Sequence, residues 1–175
     1  LDNFINHVKD AGCKIFIVHA RKAWLKGLSP KENREIPPIN YQRVYKLKEK
    51  FPELQIVING EISTIEASLF HLEKVDGVMM GREAYDNPYL LKDVDTIIFK
   101  KNMRVKDRKQ ILMDYIPYLE SQYQSGVKLI HVTKHLMGLF KGISGAKEIR
   151  RFLTRIDLSD DPIENFKQLA SGFSE

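Results

Sequence analysis

Apolar positions follow two rhythms along the first eighty residues. Phe4, Ile5 and Val8 share one face of a helix over Asp2–Asp10. After Gly12 comes Lys14-Ile-Phe-Ile-Val-His19, an apolar run rich in β-branched residues that reads as a strand. A polar loop follows through Gly27, Ser29-Pro30 and Pro37-Pro38. Asn40 is placed to cap a helix carrying Tyr41, Val44, Tyr45, Leu47 and Phe51 at helical spacing, and Pro52 ends it. Gln55-Ile-Val-Ile-Asn59 has the character of a second strand, buried on both faces. Ser63, with Glu66 three residues on, predicts a capping box for a helix reaching about Lys74. Asp76-Gly-Val-Met-Met80 is a third strand, and Gly81-Arg82 opens another helical stretch. Beyond Phe99 the pattern is helical only, over 105–124, 127–140 and 146–155. A last helix is opened by Asp161-Pro162.

Strands alternating with helices, the strands apolar almost throughout, indicate a parallel sheet covered by helices. An open doubly wound sheet and a (β/α)8 barrel both fit. Three strands cannot close a barrel, which takes about 250 residues. The chain also opens within a helix at Leu1 without an initiating methionine. The expectation is the C-terminal part of a longer α/β protein, with partial sheet over 1–99 and an all-α helical bundle over 100–175. A strand edge without its neighbour makes the sheet region unstable by itself.

Composition narrows the class. With 43% hydrophobic and 29% charged residues among 175, the chain is globular rather than disordered. No apolar run approaches the ~18 residues of a membrane span, and no signal peptide is recognisable. A single cysteine, Cys13, excludes a disulfide framework and a cysteine-based zinc site. A cytoplasmic location is therefore expected. The net charge of +5 is unevenly spread. Residues 1–99 are neutral, and residues 100–155 carry 13 basic against four acidic side chains, a net +9. Such a block, poor in acids, points to a polyanionic partner. Lys147, Arg150 and Arg151 lie three and four apart, so one helix face presents at least two of them.

Polar features end all three strands: His19-Ala-Arg21, Asn59-Gly60-Glu61 and Gly81-Arg82. In either architecture that edge is where ligands bind. Glycines there admit a ligand close to the backbone, and helix-start N–H groups beside Arg82 suit a phosphate. Turn glycines and a surface arginine would look the same one at a time; three on one edge favour a site. His131 and His135 stand four apart on a helix, but a third metal ligand is missing, so no metal is expected. Cys13 reads as a small core residue, and Trp24 and Tyr85 as packing residues.

These residues also carry a resemblance. The stretch His19-Ala-Arg-Lys-Ala-Trp-Leu-Lys-Gly-Leu-Ser-Pro-Lys-Glu-Asn-Arg-Glu-Ile-Pro-Pro38 resembles the hallmark segment of tRNA-dihydrouridine synthases of the bacterial A subfamily. Val57-Ile-Asn-Gly-Glu-Ile62 and Gly77-Val-Met-Met-Gly-Arg-Glu-Ala-Tyr-Asp-Asn-Pro88 are similar to the family's flavin-site motifs, and Gly145-Ala-Lys-Glu-Ile-Arg-Arg151 to its helical-domain signature. The resemblance covers essentially the whole chain. It implies the C-terminal part of a (β/α)8 TIM barrel that binds flavin mononucleotide, followed by a helical tRNA-binding domain. His19, Asn59, Gly60, Glu61, Gly81 and Arg82 match flavin-contacting positions, the last two at the phosphate. Glycine is usual where Glu61 stands. Lys31, Arg34, Lys147 and Arg150 match tRNA-contacting positions, with arginine commoner at the position of Lys147.

The implied reaction reduces a D-loop uridine at position 20 or 20a. NADPH reduces the flavin, flavin N5 delivers hydride to C6, and a cysteine protonates C5. The uridine must be turned out of the folded tRNA into the pocket. No residue here matches that cysteine, and Cys13 is not its equivalent, so the chain by itself is expected to be inactive. A monomer without membrane or metal partners is expected at full length. Two other readings compete: a flavin barrel acting on a small molecule, which leaves the basic block without a purpose, and a non-catalytic RNA-binding module.

Overall fold

The computed structural model describes residues 1–24 and 26–174. They form two compact units, 1–83 and 84–175.

The first unit contains helix α1 (Asp2–Asp10), strand β1 (Ile15–His19), a 3-10 turn at Glu32–Arg34, helix α2 (Tyr41–Lys50), strand β2 (Gln55–Asn59), helix α3 (Ile65–Leu72) and strand β3 (Gly77–Met79). The strands are parallel in the order β1-β2-β3, with Ile15 opposite Gln55, His19 opposite Asn59 and Asn59 opposite Met79. That register aligns the C-terminal ends of the strands on one edge. Asn40 caps α2 by accepting from the Arg43 amide at 3.0 Å, and the helix stops just before Phe51-Pro52. The cap of α3 is Thr64, not Ser63. Its hydroxyl accepts from the Ala67 amide at 3.0 Å, because Thr64 is the last extended residue before the helical turn.

The core of this unit gathers Ile5, Phe16, Val44, Leu47, Leu54, Ile56 and Ile58. One face of the sheet is thus buried. On the other face Ile15 and Ile17 of β1 are 58% and 62% exposed and Val57 of β2 is only half-buried, so β2 is not buried on both faces as its sequence predicts. The helices given by this sequence pack one side of the sheet only, and the second apolar row is left uncovered.

The second unit is helical. It comprises α4, whose residues Arg82–Asp86 straddle the division, a 3-10 segment at Pro88–Asp93, α5 (Val94–Ile97), α6 (Arg108–Gln124), α7 (Ile130–Thr133), a 3-10 segment at Lys134–Phe140, α8 (Ala146–Leu153), a 3-10 turn at Ile156–Leu158 and α9 (Pro162–Gly172). Residues 84–99 pack with this unit: the Tyr89 ring lies under the Arg108 guanidinium, 3.7 Å from centroid to Cζ. The core joins Leu112, Ile116 and Leu119 of α6 with Leu129, Leu136, Phe140, Leu153, Phe166 and Phe173. Asp161 caps α9 with Pro162 in its first turn. The stretch 127–140 is not one α-helix; it makes a single α turn and then tightens to 3-10 geometry. Among the described residues no helix is long and apolar enough to cross a membrane.

Candidate functional site

At the strand ends of the first unit, the Asn59 side chain spans the sheet. Its Nδ2 donates to the Met79 carbonyl at 2.8 Å, and its Oδ1 lies 2.7 Å from His19 Nδ1. A carbonyl can only accept, so the amide nitrogen must face Met79 and the oxygen His19. His19 Nδ1 therefore carries a proton. In the neutral ring this leaves Nε2 as an acceptor on the exposed side of the edge.

Gly60 is required by the fold itself. Its φ is 131°, and a Cβ there would come within 3.1 Å of Ile39 Cδ1. The Tyr41 hydroxyl donates to its carbonyl at 2.8 Å. Gly81 differs: a Cβ would meet only Asn59 Nδ2, at an ordinary contact distance of 3.8 Å, so packing does not demand glycine there. Glu61 has φ 53°, in the left-handed region that favours glycine.

The loop after β1 is fastened to this edge by two arginines. Arg21, its side chain only 4% exposed, donates through Nη1 to the carbonyls of Glu35 (3.0 Å) and Pro37, and through Nη2 to the Glu61 carboxylate. Its buried Nε has no partner. Arg82 donates to the Glu35 carboxylate at 2.9 Å, both side chains being exposed. The loop also folds on itself. Asn33 accepts from the Trp24 amide at 2.7 Å and donates back to its carbonyl at 3.0 Å. Ser29 and Glu32 form a reciprocal capping box, which holds the Glu32 carboxyl below its ordinary range through the Ser29 hydroxyl and then its amide. The S-x-x-E signal for this turn was present in the sequence. Lys31 and Arg34 stand exposed on it without a partner among the described residues. Leu25, inside the hallmark segment, lies outside the described residues.

The structure thus brings His19, Asn59, Gly60, Glu61, Gly81 and Arg82 to one sheet edge. It adds Arg21 and Glu35, to which the sequence assigned no role. A groove of about 580 Å³ runs from Phe4 and Ile17 along β1 to His19, Arg21 and Lys22. Cys13 lies at the opposite end of β1, its thiol 3.4 Å from the Ile15 carbonyl.

In the helical unit the basic block divides in two. Arg108 is buried and donates to the Leu139 carbonyl at 2.6 Å. Arg150 donates from Nε to the Met137 carbonyl and from Nη2 to that of Phe140, both at 3.2 Å. The two arginines thus hold the end of the 3-10 segment, whose last carbonyls lack helical partners. Lys101 and Lys106 pair with Asp95 and Asp114. Lys147, Arg151 and Arg155 remain exposed and unpaired among the described residues. Arg151 and Arg155, one turn apart, flank an open groove with Phe152, Leu158, Ser159 and Asn165. His135 is engaged by the Tyr85 hydroxyl at 3.0 Å, and no metal-binding cluster occurs among the described residues.

Comparison with known proteins gives the family. Residues 1–173 match the dihydrouridine synthase (Dus) family. The chain is 51% identical over 154 residues to the tRNA-dihydrouridine(20/20a) synthase of Shewanella oneidensis, covering 88% of this chain and 46% of that protein. It is 49% identical over 155 residues to the enzyme of the same name from Vibrio cholerae, covering 88% and 47%. The Escherichia coli K12 protein of that name is 51% identical over 155 residues, covering 88% and 45%. The chain spans about half the length of the curated relatives it matches. The chain belongs to the dihydrouridine synthase family.

Proposed function

We propose that the protein acts as a flavin-dependent tRNA-dihydrouridine synthase on uridines 20 and 20a, with NADPH as reductant. Residues 1–99 would contribute part of a (β/α)8 flavin barrel, and residues 100–175 would bind tRNA. The uncovered apolar row of Ile15 and Ile17 supports the barrel, since a barrel interior would bury it. The observation that carries the reading is the Asn59 amide joining His19 to Met79 beside the uncrowded Gly81.

Flavin mononucleotide suits this edge. His19, Asn59, Gly60 and Glu61 would hold the cofactor, and Gly81 and Arg82 its phosphate. The uncrowded Gly81 and the exposed Arg82 guanidinium, which would exchange its Glu35 carboxylate for the phosphate, suit an anion. When bound, the flavin supplies hydride to the uracil ring. His19 presents Nε2 to a ligand polar group, and Asn59 fixes the ring that does so. In the structure the Glu61 carboxylate is turned to Arg21.

For tRNA we propose Lys31 and Arg34 on the loop, and Lys147 and Arg150 on α8, joined by Arg151 and Arg155. Arg150 has two of its three nitrogens already committed to carbonyls, so its share is the smaller. Filter binding of tRNA to the chain is the test. Replacing Lys147, Arg151 and Arg155 together by alanine is expected to weaken binding at least tenfold and to leave the helical fold intact by circular dichroism. Absence of tRNA binding by the parent chain at low ionic strength would overturn the RNA reading. In the complete gene product, Asn59→Leu is expected to lower bound flavin without changing tRNA affinity.

A further inference from the structure

We propose that Glu61 is a positioning residue that sets the placement of the loop carrying Lys31 and Arg34, acting through Arg21. Three observations converge on it. Glu61 keeps a left-handed backbone at φ 53°, which costs a side-chain-bearing residue energy that glycine avoids. Its carboxylate meets the Arg21 guanidinium, which is withdrawn from solvent to 4% exposure. Arg21 in turn donates to the carbonyls of Glu35 and Pro37, at the far end of the loop.

The guanidinium is already short of one partner, because Nε is buried and unpaired. Glu61 is the sole carboxylate paired with it among the described residues. Removing that carboxylate leaves a desolvated cation on carbonyls alone, an arrangement that reorganises or admits water. Either response shifts the 35–37 end of the loop, since those carbonyls are where Arg21 is anchored. The second strap, Arg82 to the Glu35 carboxylate, lies in solvent and is weak by comparison. Glu61 thus links the turn after β2 to the exposed basic turn at Glu32–Arg34.

Glu61→Gly separates this role from a tolerated surface change, because the two make opposite predictions. Glycine relieves the left-handed backbone, so a residue of no consequence would leave the loop as it was and hold or raise the melting temperature. If Glu61 positions the loop, amide hydrogen exchange over 26–38 rises about tenfold in Glu61→Gly while the melting temperature of the full chain does not fall. Glu61→Gln, which keeps an acceptor oxygen, gives exchange between the parent and the glycine variant. Unchanged exchange over 26–38 in Glu61→Gly would overturn the proposal. So would a rise spread evenly over all three strands with a lower melting temperature.

The consequence for RNA rests on the function proposed above. There, Glu61→Gly weakens tRNA binding severalfold, and has no further effect once Lys31 and Arg34 are alanine. An equal loss in that double-alanine background would overturn the coupling. If the parent chain binds no tRNA, the functional reading fails, and loop exchange still decides the role of Glu61.

Discussion

Because His71 sits on α3 against the α2 tyrosines, its ring is buried at 3% exposure. Its Nδ1 lies 2.7 Å from the Tyr45 hydroxyl, with the Tyr41 ring edge-on at 4.5 Å. Burial holds its pKa below the ordinary 6.5. The unfolded chain takes up a proton near 6.5 and the folded one only at lower pH, so the unfolded state binds more protons between those values. Stability of the α/β unit is therefore expected to fall as pH drops below about 6.5. Urea midpoints at pH 7.5 and 5.5 test this, and His71→Gln is expected to flatten the difference. The strand-end residues were legible in sequence for a topological reason: parallel strands collect their polar termini on one edge. Arg21 was visible at that edge, but its role was not. Its partners are two main-chain carbonyls from a loop of irregular conformation and a glutamate forty positions away.

At the scale of elements, the strands and capped helices followed from periodicity, and the 127–140 stretch did not. Its apolar spacing suits an α-helix, yet tertiary contacts impose 3-10 geometry over Lys134–Phe140. Gly138 shows why. A Cβ there would come within 2.8 Å of Pro88 Cδ and 2.9 Å of the Asp86 carbonyl carbon, so two segments meet at its bare backbone. Gly138→Ala is expected to destabilise the helical unit by about 1–3 kcal/mol, as overpacking does, measured by urea unfolding. Gly126→Ala meets no such obstacle, although its positive φ gives it a smaller strain cost of its own. Charge was likewise readable only as a sum. Arg108 and Arg150 count towards the basic block but hold carbonyls of this segment, a role set by three-dimensional proximity.

Across the whole molecule, the two units differ in how far apart in sequence their partners lie. His19 pairs with Asn59 forty residues on, and β2 pairs with β3 across α3. Parallel strands have no hairpin to start from, so each pairing must first close a long loop. The helices of the second unit form their hydrogen bonds locally before they pack. Refolding is therefore expected in two kinetic phases. Trp24 is the only tryptophan of the chain, and its main-chain N–H and carbonyl are bonded to Asn33 in the loop that the sheet edge anchors. Its fluorescence after dilution from urea is expected to recover more slowly than the far-ultraviolet ellipticity of the helices. A single shared rate would show that sheet and bundle fold as one event. With two rates, the register that gathers the site residues is also the slowest thing the chain has to find.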